Sequence, residues 1–372
     1  MGNIIDYVES EFHTMKEKKF NTVDSLILSQ VTSYVYDDLV GSVYDLKPPV
    51  YFKDLLKAEC FDKMFRRFVK AKKNKQLLFA LASSPRFRDI KINYYISKID
   101  LLEEKQFSAT TFILDDEFAY LAFRGTDSSV VGWKEDFNMS FISPIPSQLE
   151  GVKYVNNISN LIPHKLYIGG HSKGGNIAVY SSIFCNTSIR DRIESIYSHD
   201  GPGFPKEIVK CNEFQFMKNK INKTIPYSSL VGILLTNHEH YHVVKSSGVG
   251  GFMQHDPFLW EIEEGDFVYL DELSSKSKYI SRTLNSWINE IPIEKRKQLI
   301  ESLFNILNST NVNNISDITL NWRSNFPIIL ESIKNMDADE KSFILELFRE
   351  LALLSIKNIP NENKKYVILE RK

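Results

Sequence analysis

Gly170-His171-Ser172-Lys173-Gly174 is the stretch that decides the fold, because it matches the pattern G-x-S-x-G in a particular setting. The apolar run at residues 165–169 is typical of a strand, and residues 175–184 after the motif indicate a buried helix. A strand, a sharp turn and a helix in this order predict a turn that holds Ser172 in a strained backbone conformation, where only small neighbours fit. The alternative is a glycine-rich turn that binds phosphate at the helix N-terminus.

The composition of the chain excludes several classes of protein. Its 372 residues include 46 basic and 47 acidic side chains, so the net charge of −1 gives no argument for nucleic-acid binding. No apolar run reaches the roughly 20 residues that span a bilayer, and the N-terminus lacks the layout of a signal peptide. Cys60, Cys185 and Cys211 are widely spaced, as is typical of reduced thiols. We expect a cytoplasmic protein without cofactors, with leaderless export as an alternative.

The pattern of secondary structure divides the chain into three regions. Residues 1–105 are mostly helical and charged, residues 106–268 alternate strand-like and helical runs, and residues 269–372 are helical again. Alternating strands and helices predict a mostly parallel sheet that is covered on both faces. We therefore expect an α/β core with helical N-terminal and C-terminal additions, of which the first is a candidate cap.

Individual elements of the core follow from the same patterns. Asp115-Asp116 separates two strand-like runs and predicts a hairpin. Apolar periodicity indicates further strands and helices, and turn residues mark where they end. The predicted elements are the hairpin strands at 108–114 and 118–123, a helix from Trp133, a helix at 147–161, and strands at 193–198, 223–227 and 240–244.

A loop after the second hairpin strand is the candidate oxyanion hole. A serine becomes a nucleophile when a base takes its proton, a carboxylate orients the base and N–H donors stabilise the oxyanion. The apolar run 119–123 leads into the polar segment 124–129. We expect the donors to be the N–H of Thr126, assisted by its hydroxyl, and the N–H of Lys173, which follows Ser172. A polar strand-to-helix turn is the alternative.

Two aspartates are candidates for the acid. Asp200 follows the strand-like run 193–198, and the C-terminal ends of strands line the active site of an open parallel sheet. The surrounding residues 199–204 are glycine-rich, although a turn-capping aspartate is the alternative. Asp256 is the rival, but it adjoins His255, and a residue seldom orients its own chain neighbour. We therefore predict that Asp200 is the acid.

Histidines near the end of the core supply the candidate bases. His255 lies in a glycine-rich loop after the last predicted strand, where a triad histidine is expected, and His242 is the alternative. His238, His240 and His242 alternate, so on a strand they would share one face and could bind a metal. No acidic or cysteine cluster completes such a site nearby, and we predict no metal. His171, inside the turn, is expected to be structural.

These residues resemble known families. Class 3 lipases, the fungal triacylglycerol lipase group, have an oxyanion segment similar to Ala122-Phe123-Arg124-Gly125-Thr126-Asp127 with Trp133 and Asp136-Phe137. More closely, about residues 20–265 resemble an uncharacterised bacterial lipase-like family of α/β-hydrolase fold. Its motifs stand here as Gly-Trp-Lys-Glu-Asp-Phe at 132–137, Gly-His-Ser-Lys-Gly-Gly-Asn at 170–176, His-Asp-Gly-Pro-Gly-Phe at 199–204 and Gln-His-Asp-Pro-Phe at 254–258. The resemblance implies an α/β-hydrolase fold for the core.

The resemblance also implies a triad of Ser172, His255 and Asp200, with one departure from class 3 lipases. In those enzymes the acid follows the strand after the one that ends at Asp200. Here that strand is the run 223–227, and Ser228-Ser229-Leu230-Val231-Gly232 after it contains no carboxylate. Either the acid lies one strand earlier, at Asp200, or the triad is incomplete.

These patterns favour one function over two alternatives. We predict a serine esterase or lipase that cleaves acyl esters of lipids. A non-catalytic binding or scaffold protein of α/β-hydrolase fold is the first alternative, and a thioesterase, amidase or peptidase is the second, because a fold does not fix a reaction. The expected partner is a small-molecule or lipid ester. Peripheral membrane contact, through helices near residues 51–68, and the oligomeric state stay open.

Overall fold

The structure, a computed structural model, describes residues 1–45, 47–68, 71–127, 129–235, 240–308, 327–328, 331 and 334–357. This part of the chain is a mixed α/β protein with a nine-stranded sheet and a separate two-stranded sheet. The strands are β1 (Val50–Tyr51), β2 (Lys91–Asp100), β3 (Lys105–Ile113), β4 (Phe118–Phe123), β5 (Lys165–His171), β6 (Ile193–His199), β7 (Ile221–Pro226), β8 (His242–Val244), β9 (Ile262–Glu263), β10 (Asp266–Phe267) and β11 (Tyr269–Leu270).

The large sheet is parallel in its middle and antiparallel at both ends. Its order is β1-β2-β3-β4-β5-β6-β7-β8-β11, and β9 pairs with β10. Strands β4 to β8 run parallel, whereas β1 to β4 and the pair β8–β11 are antiparallel. Short hairpins connect β2, β3 and β4, and only antiparallel neighbours can be joined in that way. The sheet is therefore mixed, and the mostly parallel arrangement expected from the sequence describes its centre.

Helices connect β4 to β5, β5 to β6 and β6 to β7, and further helices surround the sheet. Four short 3₁₀ turns supplement them, at Phe52–Leu55, Ala58–Cys60, Lys218–Lys220 and Pro257–Leu259. The α-helices are α1 (Ile4–Ser10), α2 (Thr22–Val31), α3 (Phe61–Met64), α4 (Ala71–Ser83), α5 (Val130–Asn138), α6 (Pro146–Leu161), α7 (Lys173–Phe184), α8 (Thr187–Arg190), α9 (Lys206–Lys210), α10 (Asn212–Met217), α11 (Gly251–Gln254), α12 (Ser275–Glu290), α13 (Ile293–Asn308) and α14 (Ala338–Lys357).

Two hydrophobic cores cover the two faces of the sheet. The first packs α1, α2 and α4 against one face, with Phe112 and Tyr120 from β3 and β4. The second packs α6 and α7 against the other face, with Phe107, Phe123 and Ile168 among its buried members. Because both faces are covered, nearly all residues of β3 and β4 are buried, whichever face they point to. This burial fixes the strand ends from which the candidate site is built.

Several predicted elements of the core are confirmed. The predicted hairpin is the antiparallel pair β3–β4, and the predicted helix at 147–161 is α6. The strands expected at 193–198, 223–227 and 240–244 correspond to β6, β7 and the shorter β8. The helix expected from Trp133 begins three residues earlier, at Val130, because Ser129 caps it by accepting a hydrogen bond from the Gly132 N–H at 3.2 Å.

The N-terminal region is less helical than predicted, because it contributes β1 and the ten-residue strand β2 to the sheet. A register shift between Asn93 and Ile96 interrupts the alternation of buried and exposed residues, and Tyr94 there has a φ of 56°. This bulge obscures the two-residue period by which a strand is recognised. The β2–β3 hairpin spans the predicted boundary at residue 105, so the sheet continues into the first region.

The C-terminal region is helical as far as it is described. Helices α12, α13 and α14 share a small core that includes Ile291, Leu299 and Leu347. Phe304 of α13 packs against Phe137 of α5, with ring centroids 5.8 Å apart. Helix α14 lies in the region 269–372 that the sequence predicts to be helical. In the described ranges no helix has the length and apolarity needed to cross a membrane.

Candidate active site

Ser172 occupies the strained turn that the sequence predicts between β5 and α7. Its backbone has φ 61° and ψ −132°, a conformation that non-glycine residues rarely adopt. A Cβ atom at Gly170 would lie 2.3 Å from the Gly174 carbonyl carbon, and one at Gly174 would lie 2.1 Å from the Phe123 oxygen. Both glycines are therefore required by close backbone contact. The half-buried serine lies at the tip of the turn.

Two further strand ends pack directly against this turn. The Ser172 N–H donates to the His199 carbonyl at the end of β6, at 2.9 Å. On the other side, a Cβ atom at Gly125 would lie 3.1 Å from the Ser172 Cβ and 2.8 Å from the His171 oxygen. The loop after β4 and the segment after β6 therefore flank Ser172, as expected for neighbouring parallel strands.

Asp200 and His255 are brought together by the fold. Asp200 Oδ2 accepts from His255 Nδ1 at 2.6 Å, and the Asp200 side chain is completely buried whereas that of His255 is 22% exposed. A carboxylate can only accept, so the neutral imidazole carries its proton on Nδ1 and has its lone pair on Nε2. Nε2 is consequently the nitrogen that can act as a base.

The segment after β7 holds Asp200 in place. Asp200 Oδ1 accepts from the Ser229 hydroxyl at 2.5 Å and from the Gly232 N–H at 3.0 Å. Together with His255, these donors satisfy both carboxylate oxygens although the group is buried. Class 3 lipases would place the acid itself in this segment. Here the segment supplies hydrogen-bond donors to Asp200, a role that the sequence did not reveal.

His171 contacts His255 through a hydrogen bond and through its ring. Its Nε2 donates to the His255 carbonyl oxygen at 2.9 Å, and the two rings lie 4.3 Å apart. Burial, together with the charges of His255 and His199, holds the pKa of His171 well below its usual range. A neutral His171 is chain neighbour to Ser172 and fixes the backbone of His255, so it brings the serine and the histidine to the same edge of the sheet.

The expected oxyanion donors lie at the same edge. The Lys173 N–H is in the first turn of α7, where a backbone N–H has no intrahelical acceptor. The Thr126 hydroxyl donates to Asp136 Oδ2 at 2.5 Å. Burial raises the pKa of Asp136 to about 6, against the charge of Lys173 and the Thr126 hydrogen bond, and the charge of His255 also lowers it. Asp136 thus joins the loop after β4 to the rest of the site, and sequence reasoning named it only as part of a motif.

The alternative candidates have other contacts. Asp256 Oδ1 accepts from the Phe258 N–H at 3.1 Å and caps the turn that follows. His242 is exposed at the start of β8, with its ring 5.5 Å from that of Tyr269. His238 lies outside the described residues. Among the residues that are described, no group of three or more His, Cys, Asp or Glu side chains is placed to hold a metal ion.

Comparisons with known proteins give one family match. The sequence model described as Mbeg1-like matches residues 81–305, a range that contains Ser172, Asp200 and His255. Among solved structures, the crystal structure of M37 lipase is similar at 13% identity with a TM-score of 0.32, covering 56% of this chain and 69% of that chain. None of the curated proteins matches the chain.

Proposed function

This chain belongs to the Mbeg1-like family, and on that premise we propose that it is a serine hydrolase of α/β-hydrolase fold that cleaves acyl esters. The observation that carries the proposal is the 2.6 Å hydrogen bond between His255 Nδ1 and the buried Asp200 Oδ2. Asp200 directly follows His199, whose carbonyl oxygen accepts from the Ser172 N–H at 2.9 Å, and the φ of 61° at Ser172 is the strain expected of a nucleophile turn. A histidine that is oriented by a buried carboxylate, itself held by two further donors, is the arrangement that a general base requires.

The proposed mechanism assigns one role to each group. His255 Nε2 takes the proton of Ser172 as its Oγ attacks the ester carbonyl, and Asp200 stabilises the resulting imidazolium. The N–H groups of Lys173 and Thr126 stabilise the oxyanion. His255 then protonates the leaving alcohol, and an acyl-enzyme ester forms on Ser172. Water, deprotonated by His255, attacks this ester and releases the carboxylic acid with regeneration of the serine.

The proposed substrate class is the acyl ester of a lipid. The motifs at 132–137, 170–176, 199–204 and 254–258 resemble those of lipase-like proteins, which favours lipid esters over amides. Reaction type and substrate class are separate claims, since one triad supports several acyl transfers. A comparison of esters with a thioester and an amide of the same acyl chain therefore tests which bond is cleaved.

The experiment measures hydrolysis of p-nitrophenyl esters of increasing chain length by the wild type and by Ser172→Ala. We expect turnover by the wild type that falls at least about 10³-fold in the variant, because the nucleophile is lost. Ser195→Ala, a half-buried serine near the other end of β6, is the matched control and should retain full activity. Equal rates for wild type and Ser172→Ala on every ester, thioester and amide would favour a non-catalytic binding protein.

A further inference from the structure

The side chain of Lys173 lies completely buried behind the proposed nucleophile. Its Nζ donates to the Gln106 carbonyl oxygen at 3.0 Å, to Gln106 Oε1 at 3.0 Å and to Glu135 Oε2 at 2.8 Å. An ammonium group has three protons, so all of its donors are used. Burial alone would lower the pKa of Lys173, but the charges of Glu135 and Asp136 outweigh it and raise the pKa. The ammonium is therefore a fixed positive charge inside the protein.

Glu135 holds this ammonium within a satisfied network. Its carboxylate accepts from the Gln106 N–H at 3.0 Å, from the Ser147 N–H at 2.9 Å and from the Ser147 hydroxyl at 2.8 Å, besides Lys173. The partners come from β3, from the first turn of α6 and from the turn after β5. A buried ion pair with this many hydrogen bonds has a defined geometry. The network therefore positions the ammonium with respect to its other neighbour, Asp136.

Asp136 faces the same ammonium and the loop after β4. Its Oδ1 lies 3.8 Å from Lys173 Nζ, and its Oδ2 accepts from the Thr126 hydroxyl at 2.5 Å. Oδ1 is buried and accepts no hydrogen bond within the part of the chain that is described. A buried carboxylate oxygen in that position depends on a nearby positive charge to remain ionised.

The charges around Asp136 come from several elements. Lys173 on α7 and His255 lower its pKa, whereas its neighbour Glu135 raises it, and Asp127 in the loop after β4 acts on Lys173. Of these charges, Lys173 has the largest effect. Protonation of Asp136 would remove the charge that makes Oδ2 a strong acceptor, so the hydrogen bond from Thr126 that holds the loop would weaken.

We propose that Lys173 is a positioning residue whose buried ammonium keeps Asp136 ionised, and therefore a strong acceptor for the Thr126 hydroxyl, and thereby fixes the oxyanion loop against the nucleophile turn. The inference rests on the proposed function, since it assigns Thr126 to the oxyanion hole. Lys173 thus contributes to the oxyanion hole in two ways. Its backbone N–H is a donor, and the charge of its side chain holds the loop that carries Thr126. The side chain acts on the loop through Asp136 and makes no contact with substrate.

The test is Lys173→Met, which keeps the backbone N–H and most of the side-chain volume but removes the charge. The titration of Asp136 is followed by the ¹³Cγ signal of labelled aspartate, assigned with Asp136→Asn. We expect a midpoint near pH 6 in the wild type and one about 1 pH unit higher in the variant, as for loss of a neighbouring opposite charge. The apparent pKa on the acidic side of the kcat/KM profile should rise by a similar amount. In the variant, kcat should be reduced and KM little changed.

The double variant Lys173→Met/Glu135→Gln separates positioning from stability. It removes both buried charges, so its thermal stability should recover relative to Lys173→Met. The apparent pKa on the acidic side of its kcat/KM profile should stay higher than in the wild type, because Lys173 affects the pKa of Asp136 more than Glu135 does. An unchanged ¹³Cγ midpoint in Lys173→Met, or a wild-type pH profile in a stable double variant, would overturn the inference. A wild type without any hydrolysis would refute the proposed function instead, and the ¹³Cγ titration would still decide the role of Lys173.

Discussion

At the scale of single residues, the site depends on how Asp200 is held. Its φ of 48° turns the chain sharply at the end of β6, and its N–H donates to the Thr224 carbonyl at 2.8 Å. The carboxylate is then directed between His255 on one side and Ser229 with Gly232 on the other. Such a buried carboxylate is suited to orient an imidazole, because both of its oxygens accept hydrogen bonds from groups that the fold holds in place.

Asp200→Asn tests this role of the carboxylate. An asparagine of nearly the same shape cannot stabilise the imidazolium, so kcat should fall about 10³- to 10⁴-fold with little change in KM. Asp256→Asn is the matched control, because its side-chain oxygen can still cap the Phe258 N–H, and it should keep activity within about twofold of the wild type. Similar losses in both variants, measured as kcat on the best ester, would contradict the assignment.

Ser229→Ala tests the donors that hold Asp200. A hydrogen bond to a charged group contributes about 1.5 kcal/mol, so kcat should fall about tenfold. Ser228→Ala is the control, since the hydroxyl of Ser228 donates to the Ser274 hydroxyl at 3.0 Å and makes no contact with the acid. If Ser228→Ala lost as much activity as Ser229→Ala in steady-state assays, the segment after β7 would not act through Asp200.

Sequence motifs singled out Ser172, the loop after β4 and Asp200 at strand ends, and His255 in the glycine-rich loop after β8. Their catalytic roles stay predictions. The donors Ser229 and Gly232 could not be found in that way, since they act from another strand and carry no charge pattern. The Lys173–Glu135 pair was hidden for a similar reason. A lysine and a glutamate that are 38 residues apart resemble two surface charges until the fold buries both.

At the scale of elements, α2 is joined to the strand ends that carry the site. Ser25 on α2 has its hydroxyl 2.9 Å from His199 Nε2 and 2.9 Å from the Tyr120 hydroxyl. His199 Nδ1 lies 2.8 Å from the Thr224 hydroxyl on β7. All of these groups are buried, and burial lowers the pKa of His199 to about 3. The residue before Asp200 is thus a neutral histidine that connects three elements.

His199→Gln tests the contribution of this neutral histidine to acid stability. The unfolded chain binds a proton below about pH 6.5 and the folded protein only near pH 3, so stability is lost as the pH falls between these values. Without His199, the slope of unfolding free energy against pH in this range should decrease by about one proton, or about 1.4 kcal/mol per pH unit. Urea unfolding from pH 4 to pH 7 measures the slope.

The control for that measurement is His242→Gln, because the His242 side chain is exposed at the start of β8. Its slope should equal that of the wild type. An unchanged slope in His199→Gln would mean that this histidine titrates normally in the folded protein. The prediction concerns stability alone, so it holds whether or not the protein is an enzyme.

Elements with a regular pattern of apolar residues could be predicted from the sequence, and those shaped by contacts with distant residues could not. The β3–β4 hairpin, α6 and β6 follow from apolar runs bounded by turn residues. Strand β2 was missed because its bulge at Tyr94 breaks the alternation. The capping box at α2 could be anticipated, since Asn21 accepts from the Asp24 N–H at 2.9 Å as a cap should.

At the scale of the whole molecule, the N-terminal region is built into the core. The side chains of Arg86 and Asp24 form a fully buried ion pair, and Arg86 also donates to the carbonyl oxygens of Lys18 at 2.8 Å and Lys19 at 3.1 Å. The first core joins α1, α2 and α4 to the sheet. The predicted role of this region as a cap stays a prediction, as does the division of the chain into three regions.

The proposed activity depends on the Ser172 Oγ being the reactive atom. The most direct measurement is covalent labelling by a fluorophosphonate probe, read by intact mass and by mapping of the modified peptide. We expect one adduct per chain, located on Ser172, which disappears in Ser172→Ala and forms much more slowly in Asp200→Asn. An unlabelled wild type, or an adduct that persists in Ser172→Ala, would contradict it.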